Sequence, residues 1–169
     1  MLRSARPDDA AEVAGVHVRS WQAAYRGLFP DEYLDGLRPE DRMARYSFGQ
    51  EDPSLPSTIV AVEDGAIRGF VTWGRSPDAD AESAPVGEVL ALYVDPGAWG
   101  LGFGRLLMAE ARAQLGRGGF TGAVLWVLVG NDRAQRFYRV DGWSADGAQR
   151  QVEVWGITAD EIRFRRRLP

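Results

Sequence analysis

The sequence predicts an α/β fold of the α+β kind. It is read as a single domain over residues 1–169, with one mixed, mostly antiparallel sheet of about six or seven strands flanked by about four or five helices. Three observations predict it. Asp64-Gly65 lies between two β-rich runs, STIVAVE and AIRGFVTWG, and this dipeptide is the strongest short signal for an antiparallel hairpin. The run VGEVLALYV at 86–94 passes through glycines into a helical stripe and then into GAVLWVLV at 122–129, which is apolar on both faces as a central parallel strand is. The runs WSAD, RQVEVW and EIRFRRRL close the chain as two or three antiparallel strands.

Taken in order, Met1 to Ala5 form a short strand, and Pro7-Asp8-Asp9 opens a helix with Val13, Val16, Ser20, Trp21 and Ala24 on one face. That helix ends near Arg26-Gly27. The segments 28–37 and 39–48 each begin near a proline and carry acids in their first turn, so they read as short helices forming a flap before the sheet. Polar, proline-bounded RSPDADAESAP at 75–85 is a loop. After the glycines, Phe103, Leu106, Leu107, Ala111 and Leu115 recur at helical spacing, and Asn131-Asp132 can cap a helix carrying Ala134, Phe137 and Tyr138. The basic cluster Arg163, Arg165, Arg166 and Arg167 reads as a solvated edge strand shielded from pairing.

Composition narrows the chemistry. With 45% hydrophobic and 26% charged residues the chain is globular rather than disordered. The N-terminus has no apolar signal core, and the run AVLWVLV at 123–129 is far short of the roughly 18 residues of a membrane span, so a cytoplasmic protein without a membrane partner is expected. A net charge of −4 argues against nucleic acid. There is no cysteine, which excludes disulfides, thiolate nucleophiles and Cys-ligated metals. Every one of the 20 basic residues is arginine, which removes the P-loop and Schiff-base chemistries that need lysine. His17 stands alone, so no metal site is expected, and its place in a helical pattern favours a structural role. A homodimer is left open.

The stretch YVDPGAWGLGFGRLL at 93–107 places Gly97, Gly100, Gly102 and Gly104 between a strand and a helix. Glycine there lets backbone N–H groups at a helix N-terminus approach an anion, phosphate above all. The dinucleotide fingerprint G-x-G-x-x-G fails from Gly100, where Arg105 takes the last place, and from Gly102, where Leu107 does.

Trp99, Gly100, Leu101, Gly102, Phe103 and Gly104, followed by Arg105, resemble motif A of the GNAT superfamily of N-acetyltransferases, Q/R-x-x-G-x-G/A, with Trp99 replacing the usual Arg or Gln. Asn131, Ala134, Phe137, Tyr138, Gly142 and Trp143 are similar to its motif B, N-x-x-A-x-x-F-Y-x-x-x-G-[FW]. The resemblance implies acetyl-CoA as cofactor, held between two splayed parallel strands after a β-bulge. It places the backbone of Leu92, Tyr93 and Val94, the glycine loop through Arg105, Asn131 and Phe137 against that cofactor.

It also implies a catalytic carboxylate at Glu88, whose plainer reading is a charged strand-end residue facing solvent. Tyr138 is the matching acid, a phenol with pKa about 10 set against a departing thiolate at about 8.5. An alkylammonium near 10.4 is only roughly 0.04% neutral at pH 7, so a base or water relay is needed. Without cysteine, acetyl would pass directly to the amine. In similar enzymes the helical flap walls the acceptor, which implies Trp21, Tyr25, Phe29 and Tyr33, joined by Trp73 from the third strand; an aromatic set at this spacing also suits a core. The implied activity is acetyl transfer to a primary amine of a small amine, amino acid derivative, antibiotic or protein N-terminus. The alternative is a noncatalytic acyl-CoA-binding or sensor module.

Overall fold

At the Asp64-Gly65 turn both residues take left-handed φ, 51° and 77°, as a two-residue hairpin requires. The turn joins β2 (Ser57–Glu63) to β3 (Ala66–Arg75). The computed structural model describes residues 1–50, 52–78 and 85–169. Most of the loop expected at 75–85, residues 79–84, lies outside the described residues. The remaining elements are β1 (Leu2–Ser4), α1 (Ala10–Ala24), α2 (Asp31–Gly36), α3 (Glu40–Met43), β4 (Val86–Val94), α4 (Phe103–Arg117), β5 (Gly122–Leu128), α5 (Asp132–Val140), β6 (Ser144–Val154) and β7 (Ile157–Arg167).

The seven strands form one sheet in the order β1-β2-β3-β4-β5-β7-β6. Every pairing between these seven strands is antiparallel except β4 with β5, where α4 makes the crossover. The last two strands are 11 residues each and meet at Trp155-Gly156. Because β7 folds back between β5 and β6, it is an interior strand, which corrects the expectation that its arginines mark an edge.

Amphipathic patterning assigns the layers. Phe103, Leu107, Met108, Ala111 and Leu115 of α4 pack one sheet face with Phe137 and Tyr138 of α5; Leu106, expected in that stripe, is exposed. On the other face α1 buries Val13, Val16 and Trp21 against Val60, Phe70 and the short helices. Helix α1 is enclosed nearly all round. His17 therefore sits buried, with Nδ1 at 2.5 Å from the Tyr46 hydroxyl and its ring stacked on Tyr93. Burial lowers its pKa to about 3.

Candidate active site

Strands β4 and β5 pair for three rungs only, Val86 with Gly122, Gly87 with Ala123 and Glu88 with Val124. Beyond Glu88, β5 continues against β7 while β4 keeps only β3, so the parallel pair forks. The register of β4 slips at the fork, because Thr72 faces Ala91 while Trp73 faces Val89, leaving Leu90 as an extra residue. The bulge swaps side-chain direction: Val89, Leu92 and Val94 all meet the α4 layer, and Ala91 and Tyr93 the α1 layer. A cavity of about 540 Å³ fills the fork.

The glycine loop closes one end of this cavity. Gly100 and Gly102 take φ of 80° and 91°, a region that a Cβ disfavours, and a Cβ built on either would meet, beyond its immediate chain neighbours, no atom of the described residues within 4 Å. Gly102 caps α4 without a side-chain oxygen, so the first-turn N–H groups are left to whatever enters the cleft. Trp99 pins the loop, since its indole N–H donates to the Val94 carbonyl at 2.8 Å, an acceptor shared with the Ser20 hydroxyl at 2.9 Å. The Arg133 guanidinium of α5 lies over the Trp99 ring, 3.4 Å from its centroid. A cation thus returns to the loop from another helix. Asn131 caps α5 by accepting from the Ala134 N–H at 3.2 Å, and Phe137 lies 3.4 Å from a Cβ built on Gly104.

Glu88 lines the middle of the cavity, and the reading of it as a solvent-facing strand end is corrected, since only 4% of it is exposed. Burial raises its pKa to about 7; the Ser76 hydroxyl, which donates at 3.1 Å, opposes this, Asp78 and Glu161 add to it and Arg150 subtracts. Tyr138 faces the same cavity, packed on Phe137 and Phe164. Burial, with Tyr93 nearby, raises its phenol above the ordinary value. A phenol already sits above a thiol, and burial lifts it further, so the Tyr138 phenol is protonated at neutral pH. Tyr25 and Tyr93 are raised by burial as well.

At the far end, Trp21, Tyr25 and Phe29 line the cavity, with Tyr25 edge-on to both others and Trp21 tilted against Phe29. The structure separates two expected members from them. Tyr33 donates its hydroxyl to the Trp155 carbonyl at 2.6 Å and lies outside the lining. Trp73 is buried in the α4-side core, because β3 is covered there by α4. Leu101 is likewise off the cavity and 63% exposed. The opposite wall is a set of residues that sequence reasoning missed. Trp126 of β5 lies under Arg150 at 4.2 Å, and Arg150 holds Glu161 at 2.7 Å. The Trp126 indole N–H is buried without a hydrogen-bond partner among the described residues.

The sequence model of the acetyltransferase (GNAT) family matches residues 18–143. The chain belongs to that family. It is 29% identical over 163 residues, 95% of its length and 89% of the relative's, to the uncharacterized N-acetyltransferase YuaI of Bacillus subtilis. It is 30% identical over 142 residues to the uncharacterized N-acetyltransferase Rv2669 of Mycobacterium tuberculosis, covering 83% of this chain and 86% of that one. It is also 35% identical over 136 residues, 80% of its length, to the mycothiol acetyltransferase of Beutenbergia cavernae, of which it spans 44%. The fold is shared with PaiA N-acetyltransferase from Thermoplasma acidophilum in complex with coenzyme A, at a TM-score of 0.73, 19% identity and coverage of 99% and 98% of the two chains.

For an acetyltransferase of this family acetyl-CoA is the cofactor, and the residues present fit it. The open cradle at Gly100 and Gly102, the uncapped start of α4 and the guanidinium on Trp99 suit a diphosphate, while the fork beyond Glu88 is a slot for an extended arm. Among the described residues no cluster of His, Asp and Glu could hold a metal ion, and no helix is long and apolar enough to cross a membrane. Arg133 could have been suspected from motif B, two places after Asn131. Trp126, Arg150 and Glu161 had no local signal, for they meet only through the strand order β5-β7-β6.

Proposed function

We propose that this acetyltransferase moves the acetyl group of acetyl-CoA directly to a primary amine at the aromatic end of the cleft, with Glu88 as general base. Acetyl-CoA supplies the activated thioester. The amine arrives as an ammonium near 10.4 and must lose a proton before it can attack. Glu88, held near 7, is about half ionised at neutral pH, so it can take that proton and later release it to solvent. The β4 backbone at Leu92, Tyr93 and Val94 has no strand beside it on the fork side, and N–H groups directed there would bind the arm and the carbonyl oxygen. Tyr138 donates a hydrogen bond where sulfur departs, and the missing cysteine excludes an acyl-cysteine route.

One observation carries the reading: a buried carboxylic acid, tuned to about 7, faces the same cavity as the glycine loop and Tyr138. The aromatic faces of Trp21, Tyr25 and Phe29 suit a cationic amine on a small molecule, an amino acid derivative, an antibiotic or a peptide N-terminus. The test has two stages. Acetyl-CoA raises the melting temperature while NAD and ATP do not, and a broad amine panel then shows acceptor-dependent thiol release. Equal stabilisation by NAD overturns the cofactor assignment. Binding without turnover on any amine favours the noncatalytic module.

A further inference from the structure

Arg150 of β6 sends its side chain across β7, the strand between them, to lie on Trp126 of β5, with the guanidinium 4.2 Å from the ring centroid. On the way its Nε–H donates to Glu161 Oε2 at 2.7 Å. The stack and this bond fix the plane of the guanidinium while using only one of its edges, so among the described residues its two terminal nitrogens have no hydrogen-bond partner. All three residues line the cleft, and Arg150 is the more open partner of the pair, its side chain 35% accessible against 17% for Glu161. A cation held by an acid and an aromatic face, with its fork unengaged, is preorganised for a second carboxylate.

The surroundings of Arg150 define what must accompany that carboxylate. Glu88 is near enough to feel the positive charge of Arg150. Trp21, Phe29, Val154 and Ala159 pack together and give this end of the cleft an apolar lining. Arg150 and Glu161 together are neutral, so a bare anion or a bare cation would unbalance the site, whereas a molecule carrying one charge of each sign keeps it neutral. An α-amino acid has that form. Its carboxylate carbon is two bonds from the amine nitrogen, and its side chain leaves the same central carbon in a third direction.

We infer that the acceptor is a free α-amino acid with an apolar side chain, its carboxylate on the terminal nitrogens of Arg150, its amine toward Glu88 and its side chain on the aromatic wall. The inference rests on the acetyl-transfer reading of the cleft and narrows its acceptor. Matched sets test it: phenylalanine, leucine and methionine, each beside its α-amide and its decarboxylated amine, are assayed for thiol release with acetyl-CoA and titrated calorimetrically into the chain saturated with coenzyme A. At least one set shows the amino acid preferred over both counterparts by about tenfold or more in kcat/KM, the size of a hydrogen bond to a charged group. Arg150→Gln raises the amino acid KM and collapses that preference with the acetyl-CoA KM unmoved, and Arg150→Lys restores part of it. Glu161→Gln keeps the preference, since the fork remains; a cross-strand pair of merely structural value would lose it in both variants alike. Amides or decarboxylated amines handled as well as the amino acids overturn the inference, as does a preference that survives Arg150→Gln, and so does a wild type that neither binds nor acetylates any amino acid of the sets. A carboxylate-dependent affinity without thiol release would keep the carboxylate site and overturn the transfer reading instead.

Discussion

At the cofactor end of the cleft the groups facing the opening are largely main chain: the fork edge of β4, two glycines in left-handed conformation and the uncapped start of α4. At the aromatic end they are side chains, supplied by α1, the segment after it, β5, β6 and β7. The main-chain end is fixed by sheet and helix geometry and tolerates changes such as Trp99 in place of Arg or Gln, because the donors do not belong to that side chain. The side-chain end has no such insulation. Each residue there alters shape or charge directly, so that end can change while the main-chain end is kept.

The largest expected effect lies where the two ends meet. Glu88→Gln keeps the shape of the buried group and removes the base, so turnover falls by about 10²- to 10⁴-fold with cofactor affinity little changed. Unaltered turnover would make the cleft a binding slot without chemistry at Glu88. Next comes the main-chain end. Gly102→Val forces a β-branched residue to φ near 91° and directs it into the cradle, and calorimetry should show acetyl-CoA binding weakened by about 100-fold or more. Wild-type affinity in a folded Gly102→Val protein would remove the loop from the site.

Tyr138→Phe is expected to be milder. With the phenol acting as a donor that stays protonated, turnover drops by about 10- to 100-fold at constant affinity, the size of one hydrogen bond to a charged atom. Lost affinity with intact turnover would make Tyr138 a positioning residue. The smallest kinetic effect separates the aromatic set. Tyr25→Phe or Trp21→Phe shifts the acceptor KM, whereas Trp73→Phe lowers Tm and leaves both KM values alone, since Trp73 packs in the core away from the cleft.

Much of the main-chain end was legible because its signals are local. Glycine spacing and the N-x-x-A-x-x-F-Y pattern each span one loop and one helix turn, and the structure brings Trp99, Gly100, Gly102, Gly104, Asn131, Phe137 and Tyr138 to one cavity. The failures share a physical cause. Trp73 and Tyr33 are aromatic residues in plausible elements, but Trp73 shares with Val71 the face of β3 that α4 covers, and the Tyr33 hydroxyl is turned to the Trp155 carbonyl, both outcomes of tertiary packing. The arginines of β7 looked like an edge because chain order was taken for sheet order. The raised pKa of Glu88 comes first from burial, with Asp78 and Glu161 adding to it and Ser76 and Arg150 opposing it, residues up to 73 positions away that no spacing rule connects.

Stability should register the same contrast. Glu88 is raised to about 7 in the folded chain against 4.5 in its ordinary state, so its contribution is fully present below 4.5 and is lost as pH rises through 7. Glu88→Gln therefore matches the wild type at pH 4 and exceeds it at pH 8, by up to about 3 kcal/mol in urea unfolding. His17 works the other way. Its folded pKa of about 3 lies below the ordinary 6.5, so stability is present above 6.5 and drains as pH falls toward 3, with Asp9 and Asp146, both lowered, adding to the loss. A Glu88→Gln protein no more stable than the wild type at pH 8 would mean that the carboxylate is not held in a dry site.

The most direct test of the account is the pH dependence of kcat/KM for the wild type and Glu88→Gln, followed by thiol release with any amine found active. The account predicts that wild-type activity rises with pH through a limb centred near 7, and that this limb vanishes in Glu88→Gln, leaving only a slow rise toward the amine's own pKa near 10.4. A limb near 7 that persists unchanged in Glu88→Gln would contradict it, and would assign the proton to another group in the cleft.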